Sequence, residues 1–132
     1  MRALAIGALA AALGGVLAVG VSAHTDRYDS EIEITAGINS DYVYGGLNSP
    51  KASCEPKRKV KLYRKRAGDD ELIEASHSIG NAGGATWTIE APGGTFTTGT
   101  YYSKARKRDL APGQAHSHIC RGATSDEIPI EP

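Results

Sequence analysis

Beyond Ala23 the apolar residues do not recur at the i, i+3, i+4, i+7 spacing of an amphipathic helix for as much as three turns. Instead, Gly, Pro, Asn, Asp and Ser interrupt the chain roughly every ten residues, and short runs of β-branched and aromatic residues fill the intervals. Glu31-Ile32-Glu33-Ile34-Thr35 alternates strictly, so Ile32 and Ile34 share an inward face and the glutamates point to solvent. Tyr42-Val43-Tyr44 is a second strand, ended by Gly45-Gly46. Lys59 to Arg64 is a third, with Val60 and Leu62 inward. Ala67-Gly68-Asp69-Asp70 turns the chain back into Glu71-Leu72-Ile73-Glu74-Ala75 as a hairpin partner. Gly80 to Gly84 reads as a loop, and Thr86-Trp87-Thr88-Ile89 as a strand with Trp87 and Ile89 inward. After a turn at Ala91-Pro92-Gly93-Gly94, Gly99 opens the strand Thr100 to Ala105, where one of Tyr101 and Tyr102 faces in and the other out. Ala111-Pro112-Gly113 is the next turn, and the last strands lie around His118-Ile119-Cys120 and Glu127-Ile128. The prediction is an all-β sandwich of seven or eight short strands. His24 to Ser30 and the tail Pro129 to Pro132 carry no strand pattern and read as loose.

Residues 1–23 have a different pattern. Met1-Arg2 precedes an apolar stretch from Ala3 to Val21, closed by the small-residue sequence Val21-Ser22-Ala23. This is the layout of a secretory signal cut after Ala23. The competing reading is an uncleaved anchor, since the run approaches the roughly 20 apolar residues that span a bilayer. Gly7, Gly14, Gly15 and Gly20 weaken it as a helix, and no basic cluster follows as a stop-transfer signal. The expected organisation is a signal at 1–23, an N-terminal segment with a first strand at 24–41, a sandwich domain at 42–128 and a tail at 129–132. No later stretch is long and apolar enough to span a membrane, so no transmembrane segment is expected once the signal is cut.

Removing the signal leaves about 109 residues, enough for one small domain. Fifteen Lys plus Arg balance fifteen Asp plus Glu over the whole chain, which gives no global case for nucleic acid. Export changes the reading of the two cysteines. In an oxidising compartment Cys54 and Cys120 are first a disulfide. Such a bridge closes a loop of about 66 residues, for which the chain-entropy model gives roughly 4 kcal/mol.

Several of these pieces together resemble the carboxypeptidase regulatory-like, or transthyretin-like, β-sandwich domains, and small secreted bacterial proteins built on them. They are Cys54 with Lys59-Val60-Lys61-Leu62-Tyr63-Arg64-Lys65, Gly84-Ala85-Thr86-Trp87-Thr88-Ile89, Gly99-Thr100-Tyr101-Tyr102-Ser103-Lys104-Ala105, and Cys120 with Ala123 and Ser125. The resemblance covers about residues 42 to 128. It implies an Ig-like sandwich with no catalytic residues of its own. Asn81-Ala82-Gly83-Gly84 reads as longer than the tight Asn/Asp-Gly turn of that pattern. Trp87, the single tryptophan, is expected in the core, placed to pack against the disulfide.

Two groups of side chains carry candidate chemistry. Signal cleavage would make His24 the new terminus, where an amine and its own imidazole can chelate copper. His116 and His118, two apart on a strand, share a face, and imidazole pairs suit copper or zinc. His77 is a fourth candidate. Against this, His116 and His118 fit equally well as surface residues of an edge strand, and a loose His24 segment gives the groups no reason to converge. The second group is basic: eight Lys or Arg lie between Lys51 and Arg66 against one Glu, and Lys104, Arg106, Lys107 and Arg108 follow later. Lys59, Lys61, Arg64, Lys65, Arg66, Lys104 and Arg106 are the candidates for a positive face that attracts anionic cell-surface polymer. The competing reading is an edge strand whose lysines block edge-to-edge aggregation.

Catalytic motifs do not stand out. No Gly-x-Ser-x-Gly elbow, phosphate loop, Cys-x-x-Cys or His-Glu-x-x-His occurs, and Glu31 with Glu33 is the outer face of a strand. The expectation is therefore a secreted, non-catalytic module without a cofactor that binds or supports other molecules at the cell surface, its partner an anionic polymer or another surface protein. An extracytoplasmic copper- or zinc-binding protein is the alternative.

Overall fold

The computed structural model describes residues 22–132. Most of the predicted signal, residues 1–21, lies outside the described residues. Among those described, no helix is long and apolar enough to cross a membrane. The fold is an all-β sandwich closed by one disulfide. Its thirteen strands are β1 (His24–Tyr28), β2 (Glu31–Ile32), β3 (Thr35–Ala36), β4 (Tyr42–Asn48), β5 (Lys59–Arg64), β6 (Glu71–His77) and β7 (Ile79–Asn81), followed by β8 (Gly84–Glu90), β9 (Gly99–Ala105), β10 (Arg108–Asp109), β11 (His116–Cys120), β12 (Ala123–Thr124) and β13 (Ile128–Ile130). Seven of them have five residues or more, and the remainder are two- and three-residue pieces. A single short 3-10 turn, Ala52–Cys54, carries the first half-cystine.

One sheet has the order β2-β4-β8-β7, with β3 also on β4. The facing sheet has the order β12-β9-β5-β6, with β13 also on β9. The alternation that predicts the strands also fills the space between the sheets. Val43 and Leu47 on β4 and Ala85, Trp87 and Ile89 on β8 pack with Val60 and Leu62 on β5 and Tyr101 and Ala105 on β9. Tyr101 is the inward member of its pair and Tyr102 the outward one.

A third, small sheet, β1-β11-β10, lies beside the two. Here the structure corrects an expectation. His24 to Tyr28 is not loose but runs parallel to β11, with Arg121 donating its amide to the Tyr28 carbonyl at 2.9 Å. This strand has no apolar alternation because it buries almost nothing. Backbone pairing holds it, and hydropathy does not register backbone pairing. The tail is corrected in the same way: Ile128, Pro129 and Ile130 pair with Tyr101, Thr100 and Gly99, and Ile130 is buried in the core.

Three local readings also change. Glu31 to Thr35 is interrupted, with β2 and β3 pairing to β4 on either side of Glu33 and Ile34, though Ile32 and Ile34 are both buried as the alternation requires. Gly45-Gly46 does not end β4, which continues to Asn48. Gly45 pairs with Trp87, and a Cβ there would stand 1.8 Å from the Glu33 carbonyl oxygen, so the glycine marks a close backbone approach inside a strand. Finally, Asn81 pairs with Gly84 across Ala82-Gly83, so β7 and β8 form a tight hairpin where a longer loop is expected.

Cys54 and Cys120 are bonded, with Cα atoms 5.4 Å apart, and both are fully buried. Beside them lies a residue whose role the sequence hides. Arg58 is fully buried and donates five hydrogen bonds. They run to the carbonyls of Cys54 (2.8 Å), Arg106 (two, 2.8 and 3.0 Å) and Arg121 (2.7 Å) and to the Ser30 hydroxyl (3.0 Å). Its own amide donates to Ser78 Oγ. One guanidinium thus fastens segments that belong to all three sheets. Burial, and then the nearby Arg108 charge, lowers its pKa from the ordinary arginine value.

Candidate functional site

The predicted basic residues divide into two groups. Arg64 and Arg66 both donate to Glu71 Oε2, at 2.8 and 2.5 Å. These hydrogen bonds, Arg66 first and Arg64 second, hold the Glu71 carboxyl below the usual carboxylate range. Lys65 pairs with Glu127 at 2.8 Å, which raises its pKa. The charge of all three is therefore locally answered.

The other four stand together. Alternation sends Val60 and Leu62 inward and Lys59, Lys61 and Tyr63 outward on β5. On β9 it sends Tyr102 and Lys104 outward. The antiparallel register sets Lys61 opposite Lys104 and Tyr63 opposite Tyr102. The Arg106 amide donates to the Lys59 carbonyl at 2.9 Å, which extends the ladder and brings Arg106 beside Lys59. Among the described residues, Lys59, Lys61, Lys104 and Arg106 take part in no ion pair. Exposed His77 pairs with Lys59 from β6, at the rim of this face.

Aromatic rings adjoin the cations. Tyr63 and Tyr102 stack with centroids 5.5 Å apart and planes 14° from parallel. Lys104 Nζ lies 5.4 Å from the Tyr63 centroid and 5.7 Å from that of Tyr102, within cation–π range. Tyr102 donates its hydroxyl proton to Asp70 Oδ2 at 2.6 Å. That hydrogen bond, with burial second, pushes the Tyr102 pKa up to about 12. The same bond, followed by the Arg66 amide, holds Asp70 below its usual value. The rings are fixed in place, and the lysines and Arg106 are left free to meet an anion.

Placement decides against reading these lysines as edge protection. Edge-blocking lysines belong on edge strands, and β5 and β9 are the two inner strands of the order β12-β9-β5-β6. Lys61 directly opposite Lys104 repels across the ladder, a pairing that works against sheet stability.

The histidines also come together. β1 and β11 align His24 with His116 and Asp26 with His118. His24 Nε2 is 3.0 Å from His116 Nδ1, with the rings edge-to-face. Asp26 Oδ2 is 3.7 Å from His24 Nε2 and 3.8 Å from His118 Nδ1. Tyr28 stacks on His118, and its hydroxyl lies 3.2 Å from His118 Nδ1. His77, on the other sheet, has no part in this group. Among the described residues, no three His, Cys, Asp or Glu side chains already close on one point as a finished metal cage. The sequence missed Asp26 and Tyr28 because both sit in the stretch read as loose. Their i, i+2 spacing from His24 was the available signal.

No protein-family model matches the chain, and no curated protein is significantly similar to it.

Proposed function

We propose that this chain is an exported, non-catalytic β-sandwich module that binds an anionic polymer of the cell surface across the outer face of β5 and β9. The observation that carries the reading is the set of four unpaired cations, Lys59, Lys61, Lys104 and Arg106, on two interior strands beside a fixed tyrosine stack. Repulsion across Lys61 and Lys104 has no return in folding, and it has a return once a line of negative charge lies between them. The tyrosine faces add an apolar surface on which sugar rings or polymer backbone can rest. The signal-like residues 1–23 and the Cys54–Cys120 bridge both favour an oxidising compartment outside the cytoplasm. The motif resemblance to carboxypeptidase regulatory-like domains favours a non-catalytic sandwich.

The test is a binding titration with heparin fragments and with poly(glycerol phosphate), in EDTA and over a series of salt concentrations. Affinity is expected to fall as salt rises, because the interaction is between exposed charges. Lys61→Glu combined with Lys104→Glu is expected to weaken binding at least about ten-fold, given roughly 1 kcal/mol for each cation near an anionic surface. Arg27→Glu, on the small sheet, should leave binding unchanged. Salt-insensitive binding, or equal loss in Arg27→Glu and in the double variant, would remove the support for this face.

A further inference from the structure

We propose that the β1–β11 edge is a binding site for a divalent transition ion, copper(II) in first preference and zinc(II) in second. The site uses His24, His116 and Asp26, with His118 and Tyr28 as positioning residues. This goes beyond the polymer-binding reading and does not depend on it.

The argument begins with donor type. Two imidazoles and a carboxylate are borderline donors that suit copper and zinc, and the ordinary order of divalent affinities places copper(II) above zinc(II). Spacing comes next. Metal–nitrogen bonds of about 2.0–2.1 Å put adjacent donors roughly 2.8–3.4 Å apart in square-planar to tetrahedral coordination. His24 Nε2 and His116 Nδ1 already stand 3.0 Å apart, and Asp26 Oδ2 is 3.7 Å from His24 Nε2. Closing the third side requires Asp26 to move by a few tenths of an ångström, within the range of a half-exposed side chain. The direct imidazole–imidazole contact holds a shared proton where a cation would lie. Metal binding exchanges that proton for the ion, as ligation by neutral imidazole requires.

Support around the site is of the usual kind for metal ligands. His118 Nδ1 approaches Asp26 Oδ2 at 3.8 Å, and Tyr28 fixes the His118 ring by stacking and through its hydroxyl. The parallel pairing of β1 with β11 delivers all of these groups to one face, and β1 has no apolar residue in the core to explain its docking. Cleavage after Ala23, as Val21-Ser22-Ala23 predicts, would add the His24 α-amine as another nitrogen on the same residue, which further favours copper(II).

The experiment uses protein purified after export, its terminus established by intact mass, stripped with EDTA and dialysed free of it. Titration with copper(II) and zinc(II) salts by calorimetry should give one saturable site for each ion, tighter for copper(II). His24→Ala and His116→Ala should each weaken zinc(II) binding ten-fold or more, and His77→Ala should leave it unchanged. Metal-free thermal melts of each variant identify any loss of folding. On the unaltered protein, copper(II) should broaden the amide signals of His24–Tyr28 and His116–Cys120 before any others, and zinc(II) should slow amide exchange in β1. Absence of saturable binding, unchanged affinity in both His24→Ala and His116→Ala, or broadening centred on His77 would overturn the proposal. The polymer titration is run in EDTA, so either result stands without the other.

Discussion

Replacing Arg58 by methionine keeps most of the side-chain volume and removes every donor of the guanidinium. The change leaves three carbonyls, of Cys54, Arg106 and Arg121, and the Ser30 hydroxyl without this partner in a part of the molecule where Arg58 itself meets no water. Hydrogen bonds to a charged group contribute about 1.5–3 kcal/mol each, and orphaned buried acceptors cost about 1–3 kcal/mol each, though neighbouring terms do not add. Removing one side of a buried charged network typically costs about 3–5 kcal/mol, which is the expected loss here. Against a total stability of about 5–15 kcal/mol for a domain this size, that is a large share. With a urea slope of about 1–3 kcal/mol per molar, the midpoint should fall by roughly 2 M. The assay is urea unfolding of the oxidised protein followed by Trp87 fluorescence. Arg58→Lys should recover only part of the loss, since a point ammonium cannot reach four acceptors spread around a planar fork. Arg27→Ala, on an exposed position, should stay within about 0.5 kcal/mol of the parent. If Arg58→Met unfolds within about 1 kcal/mol of the parent, with an unchanged slope, the view that this guanidinium joins the three sheets is wrong.

Other substitutions examine separate parts of the account. Gly45→Ala forces a methyl group into the Glu33 carbonyl and should cost about 2–3 kcal/mol, or roughly 10–20 °C of melting temperature in a scan; a drop under about 3 °C would show that the two strands can part freely. Ile130→Ala should cost about 2–4 kcal/mol in urea, whereas a loose tail would register nothing. Tyr102, with its pKa raised to about 12, favours the fold in its protonated form; its contribution is complete below the unfolded value near 10 and is lost as pH climbs through 12. Spectrophotometric titration of tyrosinate should show one late-ionising tyrosine that moves towards the ordinary range in Asp70→Asn, and an alkaline limb unchanged by that substitution would refute the assignment.

The parts of the fold legible in the sequence were those where burial follows the side-chain period. Val60 and Leu62, Trp87 and Ile89, and the division of Tyr101 from Tyr102 are each dictated by alternation, because one face of each strand meets the core. Elements held by backbone pairing left no such trace. His24 to Tyr28 is polar throughout and becomes a strand only because β11 offers an open edge, and Pro129-Ile130 is too short to show a period. Gly45-Gly46 looked like a strand terminus because glycine usually interrupts strands, and here the missing side chain is what admits the Glu33 backbone. The same distinction applies to the site. A run of cations shows total charge but not which members find carboxylates, so Arg64, Lys65 and Arg66 could not be separated from Lys59 and Lys61 without Glu71 and Glu127 in place. Arg58 sat within that run and turned out to be structural. The convergence of His24 with His116 depends on a parallel pairing between segments 92 residues apart, which no local pattern encodes.

The central claim is that the outer face of β5 and β9 receives an anionic polymer. Amide chemical-shift mapping of the oxidised protein, titrated with poly(glycerol phosphate) in EDTA, tests it residue by residue. The account predicts that the largest shifts fall on Lys59 to Tyr63 and Tyr102 to Arg106 and shrink together as salt is added. Shifts concentrated on β4 and β8 of the opposite sheet, with β5 and β9 silent, would contradict it.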